Sequence, residues 1–216
     1  MTAMPRGRFI TFEGPEGGGK TTQAKRLVAR LERAGIDALY TREPGGTATG
    51  EAIRGILQHD HAREPLHAET EVLLFAASRA QLVRRVIRPA LDSGRWVVSD
   101  RFADSTTVYQ GVGRGFGVEA MVAINDFAIC GTSPDLTLLL DLDVETGFRR
   151  LAGRHARDGV GPDRMEREDR EFHRRVREGY LDLARRWPDR FRVIDAGGGA
   201  DDVEALVWAE VMRVIR

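Results

Sequence analysis

A chain of 216 residues, 42% of them hydrophobic, is long enough to bury a sizeable core as one large or two small domains. Its 33 basic and 33 acidic residues cancel, which excludes a nucleic-acid or membrane binder acting through bulk charge. One cysteine, Cys130, permits no internal disulfide and suits a reducing compartment, and no apolar run is long enough to act as a signal-peptide core or to span a membrane.

In chain order, Phe9 to Glu13 is a β-prone run, followed by glycines and a helical pattern from Thr21 to Ala34 that Gly35 ends. Ala38 to Thr41 is a second strand, broken by Pro44, Gly45 and Gly46, and Glu51 to His59 a short helix. Glu69 to Ser93 reads as a long helix disturbed at Pro89 and stopped at Gly94. Trp96 to Ser99 is a third strand, and Glu119 to Ile129 is helical, with the apolar stretch Phe127 to Cys130 read as core. Leu136 to Leu142 is almost continuously apolar, as expected of a strand covered on both faces. A helix follows from Glu145, another spans Asp169 to Arg186, Phe191 to Ile194 is the last strand, and Asp202 to Ile215 the closing helix.

Strands alternating with helices predict an α/β fold with a parallel sheet, and no repeat or linker divides the chain, so a single domain over 1–216 is expected. The Gly- and Arg-rich segment 152–166 reads as mobile. Basic residues crowd Arg149 to Arg192, and lysine occurs only as Lys20 and Lys25. With acidic residues interleaved and few aromatics, that stretch reads as solvated surface, and no nucleic-acid or membrane partner is expected.

The residues Gly14-Pro-Glu-Gly-Gly-Gly-Lys20-Thr21 satisfy G-x-x-x-x-G-K-[ST] between a predicted strand and a predicted helix. Gly17, Gly18 and Gly19 let backbone N–H groups turn toward phosphate oxygens, and the helix N-terminus faces the same anion. Lys20 supplies a point charge to the β- and γ-phosphates and Thr21 a hydroxyl for Mg²⁺. Gly14, Pro15, Glu16, Gly17, Gly18, Gly19, Lys20, Thr21 and Thr22 are therefore expected around ATP. The N-K-x-D of GTPases is absent.

Ligands of an open α/β sheet gather at the carboxyl ends of its strands. Arg42 follows the second strand and Asp100 and Arg101 the third, so two arginines are placed to hold an acceptor phosphate, and Asp100 to hold Mg²⁺ or its waters. Phe75 and Arg79 lie four apart on one helix face, an aromatic to stack on a base and a guanidinium to meet its carbonyl. Paired arginines argue against a kinase acting on a neutral sugar hydroxyl, and intact Lys20, Thr21 and Asp100 argue against a nucleotide-binding module without turnover.

The segments EGPEGGGKTT, TREPGGT, LLFAASRAQLV, VVSDRFADSTTVYQGVGRG, PDLTLLLDLD and DRMEREDREFHRRVREGYLDLA resemble, in order and spacing, the bacterial form of the thymidylate kinase family. That resemblance implies a P-loop nucleoside monophosphate kinase fold, a five-stranded parallel sheet flanked by helices with a short lid at 152–166. It implies transfer of the γ-phosphoryl group of ATP to dTMP and a homodimer. It carries Glu16 onto the dTMP 3′-hydroxyl, Arg42 and Arg101 onto its phosphate, and Phe75 onto the thymine face. Arg79 falls at a thymine carbonyl, Thr106 at the base edge, Tyr109 at the 2′ position that favours deoxyribose, and Gln110 beside it. No arginine stands inside the phosphate loop, so the transition-state charge is expected from the lid, with Arg154 the first choice and Arg164 and Arg157 as alternatives.

Overall fold

The computed structural model describes residues 6–58, 64–159 and 161–215. Five strands, β1 (Phe9–Glu13), β2 (Ala38–Arg42), β3 (Trp96–Asp100), β4 (Leu136–Asp141) and β5 (Phe191–Asp195), form one parallel sheet in the order β2-β3-β1-β4-β5. The central strand β1 is buried along its whole length, and alternation sends successive side chains to opposite layers. Ile10 and Phe12 pack with Leu138 and Leu140 against α1 (Lys20–Arg33) and α9 (Ala200–Ile215), whose Ala24, Leu27, Leu31, Val203, Val207 and Val211 are all buried. Phe9 and Val97 face the other layer, where they meet Leu82, Ile87 and Leu91. Beside them Leu139 packs on Val108, Val176 and Tyr180.

The long helix expected over 69–93 is three pieces: α3 (Ala68–Leu82), a π-helical turn (Val83–Ile87) and α4 (Arg88–Asp92). Pro89 offers no N–H to the carbonyl four residues earlier and crowds it, so the helix widens in the turn before the proline. α2 (Ala48–Gln58) starts before the expected Glu51, and His59 lies outside the described residues. After β3, a short α5 (Ala103–Thr106) and a second π-helical stretch (Thr107–Gly113) were unforeseen.

α6 (Val118–Ile129) ends on Cys130 in the left-handed conformation, φ 49°. The reading of 127–130 as core is corrected there: Ala128 and Ile129 are buried, but Phe127 is 89% exposed and Cys130 half-buried. Phe127 points away from the side of the helix that carries the buried Asn125, whose amide donates to Ala103 O in α5 and Thr107 Oγ1 in the π-helical stretch.

α7 (Val144–Asp158) begins at Asp143, whose carboxylate accepts the Thr146 N–H at 2.9 Å, and α8 (Arg170–Arg186) at Asp169, which accepts from Phe172 at 2.6 Å. α7 therefore runs through Arg154 and Arg157, so the first half of the segment expected to be mobile is helical, and turns follow over 164–167. Gly17, at φ 75°, and Gly147 lie against each other: a Cβ on either would meet the other segment's backbone oxygen at 2.4–2.5 Å. This close approach seats α7 directly on the phosphate loop.

Candidate active site

The register places Phe12 beside Asp100 and Asp100 beside Arg42, so the carboxyl ends of β1, β2 and β3 open together into a cavity of about 770 Å³. Of the residues expected around ATP, Glu16, Gly17, Gly19, Lys20, Thr21 and Thr22 line it, while Gly14, Pro15 and Gly18 form the loop behind. Lys20 is buried and its Nζ donates to the Gly14 and Pro15 carbonyls at 3.0 and 2.7 Å. Burial, reinforced by the positive charge of Arg101, draws its pKa down to about 8.

Thr21 Oγ1 donates to Asp100 Oδ2, which brings together the two oxygen groups expected to hold Mg²⁺. No group of three or more metal-ligating side chains occurs among the described residues. A hydroxyl and one carboxylate facing a phosphate site still fit Mg²⁺, which keeps several waters and takes phosphate oxygens from its substrate.

Arg101 occupies the left-handed region, φ 70°, a conformation that costs a non-glycine residue about 1–2 kcal/mol and recurs at functional sites. Its N–H bonds the Phe12 carbonyl at 2.9 Å, which turns the side chain into the cavity. There the guanidinium pairs with Glu16, donates to Ser105 Oγ and Tyr109 Oη at 3.2 Å each, and lies 5.0 Å from the Tyr109 ring. Burial opposes ionisation of Glu16, yet Arg101, Lys20 and the Tyr109 hydroxyl, which donates at 2.8 Å, outweigh it and hold the carboxyl at about 2. Glu16, Arg101 and Tyr109, expected at the sugar and phosphate of the acceptor, thus form one cluster.

Arg42 lines the cavity half-exposed, paired with both oxygens of Glu51 at 2.9 and 3.0 Å. Phe75, Thr106 and Gln110 line the same wall. Arg79 is placed differently from the expectation of a direct base contact. It is 1% exposed and absent from the cavity wall, with its guanidinium donating to Glu43 at 2.7 and 2.9 Å, Asn125 at 2.7 Å and Thr106 Oγ1 at 3.0 Å. It braces Thr106 from behind.

The three candidate arginines separate. Arg154 and Arg157 line the cavity from α7; Arg154 pairs with Glu166, and Arg157 with Asp158 on the surface. Arg164 is not on the cavity wall: it pairs with the buried Glu71 and donates to the Leu57 carbonyl at 3.2 Å.

Three site residues escaped the sequence reading. Glu13 is fully buried, accepts from Phe102 N at 2.8 Å, Ser105 Oγ at 2.6 Å and Tyr180 Oη at 2.9 Å, and so anchors the turn that carries Arg101. Burial and the nearby Asp104 raise its pKa to about 7. A carboxylate at the end of the β-prone run Phe9 to Glu13 was the available signal. Arg150 lines the cavity and donates to the Ala196, Gly197 and Gly198 carbonyls at 2.8–3.1 Å, holding the loop after β5 against α7. Arg54 lines it too, its Nη1 donating to the Pro44 carbonyl at 3.0 Å. Neither arginine stands out in so arginine-rich a sequence.

A family model described as thymidylate kinase matches residues 12–207. A thymidylate kinase of Deinococcus radiodurans is 50% identical over 209 residues, covering 96% of this chain and 98% of that protein. One from Desulfosudis oleivorans is 52% identical over 208 residues, covering 95% and 97%. Among solved structures, a crystal structure of thymidylate kinase from Ehrlichia chaffeensis superposes with a TM-score of 0.74 at 33% identity, over 98% of this chain and 100% of that one.

Proposed function

The chain belongs to the thymidylate kinase family, ATP-dependent enzymes that convert dTMP to dTDP on the route to dTTP, and from that premise we propose how its cavity performs the transfer. The observation that carries the reading is the meeting of Lys20, Thr21 and Asp100 with Arg42, Arg101 and Phe75 around one cavity. The first three face the donor, the last three the acceptor.

The attacking atom is a phosphate oxygen of dTMP, already anionic, so no general base is needed and catalysis rests on alignment and charge neutralisation. Arg42 and Arg101 hold the acceptor phosphate in line with the γ-phosphorus. Lys20 leaves the Gly14 and Pro15 carbonyls for the β- and γ-oxygens. Thr21 and Asp100 would hold Mg²⁺, which would supply positive charge against the triphosphate of the donor. Glu16 accepts the 3′-hydroxyl, Phe75 stacks on thymine, Thr106 and Gln110 meet its edge, and Tyr109 closes the 2′ side. Arg154 exchanges Glu166 for the equatorial oxygens of the transferring group. The segment 152–166 acts as the lid that excludes water, a competing nucleophile.

The chain works as a single cytoplasmic domain in a homodimer. What supports the dimer is an apolar face on packed helices α3 and α6, where Leu73 and Phe127 are 62% and 89% exposed. Among the described residues no helix is long and apolar enough to cross a membrane.

The purified protein, mixed with ATP, Mg²⁺ and each nucleoside monophosphate in turn, should release ADP fast with dTMP, more slowly with dUMP, and negligibly with AMP, GMP or thymidine. Faster turnover with another monophosphate would overturn the base-pocket assignment while keeping the transfer mechanism.

A further inference from the structure

Glu71 lies on α3, one turn before Phe75, with no exposure to solvent, and nothing in the transfer mechanism uses it. A buried carboxylate is costly unless paired, and this one is paired from two directions. Arg164, from the segment after α7, binds Glu71 Oε2. From the π-helical side, Gln110 Nε2 donates to Oε1 at 2.6 Å, and Arg114 approaches both oxygens at 3.3 and 3.4 Å. One carboxylate therefore joins α3, the base-facing wall and the segment following α7.

We propose that Glu71 is a positioning residue that sets the orientation of the Gln110 amide and ties it to the lid through Arg164, so that base recognition and lid position are coupled. The inference rests on the dTMP reading of the pocket given above.

The orientation follows from donor and acceptor chemistry. A carboxylate flanked by two guanidinium groups can only accept, so the amide nitrogen of Gln110 must face Glu71. The amide oxygen is then the end left for the cavity that Gln110 lines, and no protein donor among the described residues reaches it. An acceptor at that place suits the N3–H of thymine or uracil and opposes the unprotonated N3 of cytosine, leaving two acceptors face to face.

The link to the lid is equally short. Arg164 is followed by Met165 and Glu166, both on the cavity wall. Glu166 pairs with Arg154, lies 3.0 Å from His155 Nε2 and accepts the Asp163 N–H at 3.1 Å, while Asp163 Oδ1 accepts from the Met165 and Glu166 N–H groups at 2.9 Å. Arg114 adds a second strut, binding Glu168 at 2.7 Å. An acceptor base that fixes Gln110 thereby fixes Glu71, Arg164 and the turn that carries the partner of Arg154.

The test compares wild type with Glu71→Gln, which keeps the shape but lets the amide at 71 donate, so that Gln110 can turn over. KM for dTMP should rise about tenfold or more with a smaller change in kcat, and the preference for dTMP over dCMP should fall at least tenfold. Saturating dTMP should protect the arginines of 154–167 from trypsin in wild type and not in the variant. Arg164→Gln, a change on a partly exposed side chain, should also raise the dTMP KM and abolish that protection while leaving the dTMP-to-dCMP preference in place. Unchanged dTMP KM and retained protection in a folded Arg164→Gln would overturn the coupling, and an unchanged dTMP-to-dCMP preference in Glu71→Gln would overturn the orientation role. Failure of wild type to prefer dTMP at all would instead strike the pocket reading itself.

Discussion

Lys20 is a buried cation that donates to two carbonyl oxygens, and burial with the repulsion of Arg101 draws its pKa down to about 8. Below pH 8 the ammonium is already formed and ATP finds it charged. Above pH 8 the free enzyme holds the neutral amine, and the triphosphate draws a proton back onto it. Calorimetric titrations with ATP in two buffers of different ionisation heat should therefore show proton uptake at pH 9 that is absent at pH 7; equal proton balances would refute the assignment. The stability linkage has the matching sign: between about 8 and the ordinary 10.5 the unfolded chain binds the extra proton, so this group makes folding more favourable as pH rises through that window. Single residues were legible where a local pattern demands them, as at Lys20 and Thr21. Arg79 was not, because spacing on a helix shows which residues share a face but not how deep that face is buried, and Glu43 and Asn125 come from elements far along the chain.

At the scale of elements, α7 joins two functions: Gly147 seats it on the phosphate loop, and its last turns carry Arg154 and Arg157. A helix is a firmer mount for a transition-state charge than a Gly-rich loop. Arg154→Met should lower kcat by about three powers of ten, with KM for dTMP changed only a few-fold and the melting temperature unmoved, since Arg154 is 45% exposed and, among the described residues, pairs only with Glu166. Steady-state kinetics beside a thermal melt would check this, and an unaffected kcat would shift the role to Arg157. The strands were legible from their apolar runs, and the helices expected from Glu145 and over 169–186 start within a residue of those positions, where Asp143 and Asp169 cap them. The π-helical turns were not, because a widened turn leaves the apolar period nearly intact, and even Pro89 betrayed the disturbance only at its downstream end.

Over the whole molecule, the parallel sheet gathers the ends of three strands that are far apart in sequence, and alternating strands and helices were enough to foresee this. The face of α3 and α6 was less legible, since Phe127 sits in an apolar run that reads as interior. If that face closes on a second copy, Phe127→Glu should convert a dimer in sedimentation velocity to a monomer without altering the sheet; a wild-type chain already monomeric at tens of micromolar would refute the assembly. A last consequence comes from composition. With side-chain amines confined to Lys20 and Lys25, an acylating reagent meets few targets, and the lowered basicity of Lys20 leaves a larger unprotonated fraction of its amine near neutral pH than an ordinary lysine has. Mass spectrometry that follows acetylation at Lys20 in a briefly treated sample would therefore report nucleotide occupancy, with no tag or engineered probe.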